Sequence, residues 1–113
     1  MSITEVKVIA AIRRWCHNRQ RLSTPRNQGH KWRGHVASAE RHHDARLVQV
    51  IDFELAFALL AAQDQVLLLL AHRDGIGECE LADMIGVDWR TIRGWLMHSR
   101  LTLATLLEAR NAL

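Results

Sequence analysis

The sequence has few of the residues that build sheets or break helices. Its 113 residues include no tyrosine, two phenylalanines and a single proline, Pro25, and aromatic residues make up 5% of the chain. No stretch alternates apolar and polar residues over the length of a strand. Apolar residues recur instead at the three- and four-residue spacing of helices, so the sequence predicts an all-α protein.

The chain also lacks the features that direct a protein into or across a membrane. No apolar run approaches the roughly 20 residues that a membrane span requires. The first 12 residues carry Glu5 and Lys7 within their apolar stretch and do not follow the pattern of a signal peptide. We therefore expect a cytoplasmic protein with no membrane partner. Its two cysteines, Cys16 and Cys79, follow no short pairing pattern, and we expect buried thiols.

Charge is distributed unevenly along a chain of single-domain length. Apolar residues make up 49% of the sequence, which is enough for a packed core. The net charge of +3 combines +6 for residues 1–53 with −3 for residues 54–113. We accordingly divide the chain into a basic N-terminal helical extension, residues 1–53, and a second domain, residues 54–113. A basic segment favours an anionic partner such as nucleic acid.

The basic extension begins with a predicted helix over residues 3–21. Ser2 and Glu5 have the spacing of a capping box, in which a side chain satisfies a free backbone donor at the helix start. Residues 23–35 contain Pro25 and two glycines and are predicted to form a loop. Six basic residues form what we call the basic arm: Lys7, Arg14, Arg21, Arg26, Lys31 and Arg33. The arm suits nucleic-acid backbone binding, but also a solvated surface or protein docking.

Four more helices are predicted, over residues 36–60, 63–73, 77–85 and 89–100. The leucine-rich run 66–70 is expected to belong to the core, and Asp74-Gly75 to end the third helix because glycine tolerates the left-handed conformation. The last two helices are separated by a very short turn. Gly86 is expected to adopt positive φ there, and Asp88 to cap the helix that follows. This is the pattern of a helix-turn-helix, in which the second helix presents side chains to the major groove.

Residues 54–107 resemble region four of bacterial RNA polymerase sigma factors, especially the extracytoplasmic-function class. The resemblance is carried by Leu59-Leu60, the run Val66-Leu67-Leu68-Leu69-Leu70, Asp74-Gly75-Ile76, Glu80-Leu81-Ala82, Ile85-Gly86-Val87, Thr91-Ile92-Arg93, Leu96, Arg100, Leu103 and Leu107. It implies a region-four-like bundle that binds double-stranded DNA at the minus-35 promoter element. It also implies docking on the β flap of bacterial RNA polymerase. Residues 1–50 show no similarity to region two of these factors, so a complete sigma factor is not expected.

The resemblance implies a DNA-contacting face on the last helix. Its residues are Trp89, Arg90, Thr91, Arg93, Gly94 and His98. Thr91 is suited to a phosphate contact, and Arg90 and Arg93 to a phosphate or a guanine edge. Small phage-encoded late-gene regulators also join an unrelated N-terminal part to such a module. We therefore expect a DNA-binding transcriptional regulator that acts with bacterial RNA polymerase.

A second hypothesis is a protein-interaction module that docks on RNA polymerase or a sigma factor with little direct DNA readout. Trp95 and His98 replace arginines that are usual in the family, which favours this alternative, as does the −3 charge of residues 54–113. The leucines of residues 101–107 finish the core or form a dimer seam, which leaves a homo-oligomer open.

No catalytic motif or cofactor-binding pattern is present, so we expect neither enzymatic activity nor a cofactor. His72 beside Asp74 is interpreted as a favourable charge at a helix C-terminus. The other residues that could invite a metal hypothesis are Cys16, His17, His30, His35, His42 and His43. Their spacing fits no standard zinc finger, and no metal site is expected.

Overall fold

The computed structural model of the chain describes the backbone of residues 1–23 and 36–113 and the side chains of residues 1–20 and 45–113. Five helices follow one another: α1 (Ile3–Ser23), α2 (Val36–Ala58), α3 (Ala62–Leu68), α4 (Glu78–Ile85) and α5 (Trp89–Ala109). A π-helical turn, Leu69–Arg73, continues α3. The described part contains no strand, which confirms the all-α prediction for these residues.

Helix α1 begins at the predicted capping box. The Glu5 backbone N–H donates to the Ser2 hydroxyl over 3.2 Å, which satisfies one of the free donors at the helix start. The Ser2 hydroxyl in turn donates to the Glu5 carboxylate, also over 3.2 Å. Two turns of α1 enter the core through Val8 and Ile12, which are fully buried.

Helix α2 packs on α1 through aromatic side chains. The Trp15 ring lies 4.9 Å from Phe53 and 5.7 Å from Phe57, centroid to centroid, in stacked arrangements. The indole N–H of Trp15 donates to the Glu54 carboxylate over 3.3 Å, which satisfies its polar end at the edge of the core. Val50 extends the same buried face of α2, and Leu60, just past the helix end, is buried as well.

The four leucines of the run 66–70 lie in or against the core as predicted, whereas Val66 is 54% exposed and corrects that prediction. Leu67 and Leu68 are buried, and Leu69 and Leu70 pack against the cluster from its edge. The helix widens after Leu68, where the Asp74 N–H donates to the Leu69 carbonyl five residues earlier. We predicted one continuous α-helix over residues 63–73, and this π-helical turn corrects that prediction. Gly75, at φ 72°, ends the segment as expected.

Helix α5 is nine residues longer than predicted. It ends at Ala109 rather than near Arg100, because its apolar stripe continues to pack beyond that point. Leu103, Ala104 and Leu107 are all buried. Arg110, just past the helix end, reaches α2 through a 3.1 Å ion pair with Asp52.

All five helices contribute to one hydrophobic core. Its buried members are Val8, Ala11, Ile12, Phe53, Ala56, Phe57, Leu60, Leu67, Leu68, Leu81, Ala82, Ile92, Leu96, Leu103, Ala104 and Leu107. The predicted boundary between residues 53 and 54 lies inside α2, and the core includes residues from both sides of it. No helix in the described part of the chain is long and apolar enough to cross a membrane.

A buried ion pair joins α1 to α5. The guanidinium of Arg100 donates through Nη1 to the Glu5 carboxylate over 3.1 Å, and both side chains are more than nine-tenths buried. Burial raises the pKa of Glu5, but hydrogen bonds from Arg100 and Ser2 outweigh it and hold that pKa below its usual value. The carboxylate therefore stays charged at neutral pH.

His72 completes this network. Its Nε2 accepts a 3.1 Å hydrogen bond from Nε of Arg100, which requires the neutral imidazole. Burial, with the nearby charges of Arg100 and Arg13, lowers the pKa of His72 to about 4. The interpretation of His72 as a favourable positive charge at a helix end was therefore wrong.

The prediction of two buried thiols also needs correction. Cys16 is half-buried against the core, whereas Cys79 is exposed. Helix α4 has only eight residues and buries Leu81 and Ala82. Cys79 precedes Leu81 by two positions, about 200° around the helix, and therefore lies on the opposite face.

Candidate nucleic-acid interface

The turn between α4 and α5 has the predicted local chemistry. Gly86 adopts the left-handed conformation, with φ 86° and ψ 34°, and its N–H donates to the Ala82 carbonyl over 2.8 Å. Asp88 caps α5 by accepting a hydrogen bond from the Arg90 N–H over 3.0 Å. Val87 packs against the core between the two helices. The turn fixes where α5 begins and which face it presents.

Most of the predicted DNA-contacting residues lie on the exposed side of α5. Arg90, Arg93, Gly94 and His98 are exposed. Thr91 is half-buried, on the flank of the helix away from Arg93. The first three turns of α5 therefore bring together two arginines, a histidine and a glycine.

The indole ring of Trp89 contacts both arginines, Arg90 and Arg93. Its side chain is partly exposed, and the guanidinium carbons of Arg93 and Arg90 lie 4.7 Å and 5.6 Å from its ring centroid. Both distances fall within the range of cation–π attraction. The indole thus lies against two positive groups at the start of α5, a contact that the sequence did not predict.

Glu78 of α4 holds Arg93 from the other side. Nε of Arg93 donates to the Glu78 carboxylate over 3.1 Å, while the Arg93 side chain remains 64% exposed. No other hydrogen bond joins Arg93 to a described residue, so both terminal nitrogens remain able to donate. Glu78 was not predicted from the sequence, because helical periodicity gives no information on a contact between residues 15 positions apart on two different helices.

The surroundings of this face carry more negative than positive charge. Glu80, Asp83 and Asp88 are exposed on α4 and the turn, in addition to the partly exposed Glu78. An open groove of about 520 Å³ lies between α4 and the start of α5, and Asp83 and Asp88 line it. These carboxylates oppose the approach of a phosphate backbone and would favour a basic partner surface.

Two apolar residues that the sequence analysis did not assign to this face also lie on it. Met97 is 48% exposed and Leu101 is 41% exposed. With Arg90 and Gly94 they follow a four-three-four spacing, which places them along one side of α5. This spacing could have identified both residues from the sequence, because side chains on the exposed side of a helix also recur every three or four positions.

The remaining part of α5 anchors the helix. The Ser99 hydroxyl lies 2.8 Å from both the Asp64 carboxylate of α3 and the Trp95 carbonyl. Trp95 is half-buried and packs against the core. Ile92 and Leu96 are buried in the core.

The basic arm is described only in part. Lys7 and Arg14 lie two helical turns apart on α1 and are both exposed. Arg14 also lines a cleft of about 290 Å³ between α1, α2 and the residues after α5. The Arg21 side chain lies outside the described residues, as do Arg26, Lys31 and Arg33.

No group of three or more potential metal ligands occurs among the side chains that the structure describes. His30, His35, His42 and His43 fall outside that set. Comparison of the chain with protein-family models, with curated proteins and with solved structures found no match.

Proposed function

We propose that the chain is a DNA-binding transcriptional regulator of the helix-turn-helix type that acts with bacterial RNA polymerase. The observation that carries the proposal is the exposed first half of α5, where Arg90 and Arg93 project beside Trp89. A capped helix that presents arginines after a three-residue turn is the geometry that major-groove readers use. The likeness of residues 54–107 to sigma region four adds the promoter and the polymerase as partners.

In this proposal Arg93 reads a base and Arg90 contacts a phosphate. Glu78 accepts from Nε of Arg93 and so leaves the two terminal nitrogens for a guanine edge. Gly94 adds no side chain, which lets the duplex approach α5 closely. Lys7 and Arg14 of α1 add sequence-independent attraction to phosphates.

The probe is a duplex that the protein has selected from a random pool. Its binding, measured by fluorescence anisotropy, tests the proposal. Arg93→Ala should weaken specific binding by about 1–3 kcal/mol at a fixed salt concentration. The matched control is Arg73→Ala, which also removes an exposed arginine that pairs with a single carboxylate, Asp74. Unchanged affinity for Arg93→Ala, or an equal loss in both variants, would contradict base reading by Arg93.

A second candidate function is docking on RNA polymerase or a sigma factor with little DNA readout. The four carboxylates near the turn favour it, as do the exposed Met97 and Leu101 on α5. Nuclease-treated RNA polymerase immobilised on beads separates the two functions. Docking predicts capture that survives Arg90→Ala and Arg93→Ala but is lost in Met97→Glu. DNA binding through several phosphates predicts instead a steep fall in duplex affinity as salt rises.

A further inference from the structure

Helix α2 is apolar on two opposite faces, and only one of them enters the core. Val50, Phe53 and Phe57 lie on the inner face. On the outer face the exposed residues are Leu47 (40% exposed), Val48 (58%), Ile51 (46%), Leu55 (48%) and, just past the helix end, Leu59 (71%). Ala58 lies between them. We call these six residues the outer face of α2.

The outer face is continuous and uncharged over three turns. Val48, Ile51, Leu55 and Ala58 follow a three-four-three spacing, which is the seam spacing of two helices that pack side by side. Among the described residues 45–60, the acidic side chains Asp52 and Glu54 lie at its two edges rather than on it. A helix that is apolar all round is normally buried on every side, so this face is suited to a partner.

We propose that the outer face of α2 is the surface through which two copies of this chain associate. The charged residues at the two edges of the face favour a second copy as the partner. One edge holds the ion pair Asp52–Arg110 and the other holds Glu54–Arg19, with distances of 3.1 Å and 2.7 Å. When two such helices pair antiparallel about a twofold axis, each edge lies against the same edge of the other copy. Because each edge carries one carboxylate and one arginine, each carboxylate can then lie near an arginine of the other copy.

The area of the face indicates which class of interface it could form. Its side chains expose roughly 450 Å² of apolar surface, within the range of the largest patches on monomeric proteins. Pairing would bury about twice that area, which is below the roughly 1,200–2,000 Å² of stable interfaces and falls among weak, transient ones. The association is therefore reversible at cellular concentrations rather than obligate.

The chain's own residues 24–35 are a poor alternative cover for this face. They lie outside the described residues, and their sequence contains a single large apolar residue, Trp32, among polar and basic neighbours. Five exposed aliphatic side chains require more apolar surface than that segment offers. Composition thus favours a second outer face as the occupant.

Sedimentation equilibrium of the full chain, at protein concentrations from about 5 to 500 µM, tests for such a weak dimer. A reductant is included because Cys79 is exposed. The wild type should shift from monomer to dimer as concentration rises. Ile51→Glu should weaken dimerisation at least about tenfold, because it buries a charge in the seam.

The matched control is Ile85→Glu. Ile85 is also a helical isoleucine and is also 46% exposed, but it lies on α4. Leu55→Lys repeats the test with the opposite charge, and circular dichroism establishes that each variant is folded. Dimers in wild type and Ile85→Glu, but not in folded Ile51→Glu or Leu55→Lys, would support the proposal.

A wild type that stays monomeric throughout would overturn the proposal and assign the face to residues 24–35 or to a different protein. A dimer that persists in both folded outer-face variants would overturn it equally. The result is independent of DNA binding, so a failure here leaves the proposed function of α5 intact.

Discussion

Arg100 and Glu5, 95 positions apart in the chain, form a 3.1 Å ion pair that closes the bundle by joining the first turn of α1 to the middle of α5. Both side chains are shielded from solvent, so neither charge can be rehydrated without disrupting the packing. The pair makes the position of α5, and hence of its exposed face, depend on α1.

Arg100→Met should destabilise the fold by about 3–5 kcal/mol, because it leaves the Glu5 carboxylate buried and unpaired. Urea unfolding followed by circular dichroism measures the loss. The double variant Glu5→Leu/Arg100→Met removes both charges and should recover most of it. Equal losses in the single and double variants would show that packing, rather than the orphaned charge, accounts for the effect.

Stability should fall as the pH drops below about 6.5. His72 has a folded-state pKa of about 4, so between that value and its unfolded value the unfolded chain binds more protons than the folded one. The contribution of neutral His72 to the free energy of unfolding is complete above the pKa of the unfolded chain's histidine and is lost progressively down to about pH 4. The difference between the two pKa values corresponds to at most about 3.4 kcal/mol, and solvent screening at this half-buried side chain reduces the loss to about 2–3 kcal/mol.

His72→Gln supplies the comparison for this prediction. Glutamine keeps an oxygen that can accept from Nε of Arg100 but does not titrate. Melting temperatures measured from pH 7.5 to pH 4.5 should therefore fall less steeply in the variant than in the wild type. Parallel curves would refute the role of His72.

Asp88→Ala should cost about 1 kcal/mol, since the Arg90 N–H loses its 3.0 Å acceptor at the start of α5. Asp88→Ser should retain most of the stability, because serine is also a good N-cap residue. Asp83→Ala removes a nearby exposed carboxylate that makes no described hydrogen bond, and it serves as the control. Chemical denaturation of the three variants distinguishes loss of the cap from loss of charge.

Glu78→Gln should strengthen DNA binding more than Glu80→Gln does. Both substitutions remove one negative charge from the same turn of α4, but only Glu78 contacts Arg93 and offsets its positive charge, while glutamine can still accept from Nε. The difference should be about two- to fivefold, in line with the small free energy of an exposed ion pair. Equal effects in anisotropy titrations would mean that only the net charge matters.

The local features of the fold were predictable because neighbouring residues determine them. The capping role of Ser2, the left-handed Gly86 and the cap at Asp88 all follow from side-chain chemistry within a few positions. The π-helical turn after Leu68 and the full length of α5 were not predicted, since both depend on packing between distant helices.

Helix α2 shows a sharper limit of periodicity. Helical spacing predicted this helix over residues 36–60, and the structure ends it at Ala58. The spacing could not show that Ile51 and Leu55 are exposed whereas Phe53 and Phe57 are buried. Periodicity identifies an apolar stripe without saying which of two stripes faces the core. The same limit hid the contact between Glu78 and Arg93, since it depends on how α4 and α5 cross.

The closure of the bundle by α1 and α5 also governs the order of events during synthesis. At ribosomal speeds of about 5–20 residues per second, roughly 5–20 s separate the emergence of Glu5 from that of Arg100. Throughout that interval Val8 and Ile12 have no completed core to enter. Because both the core and the Glu5–Arg100 pair include residues of α5, translation must reach this helix before the native packing can form.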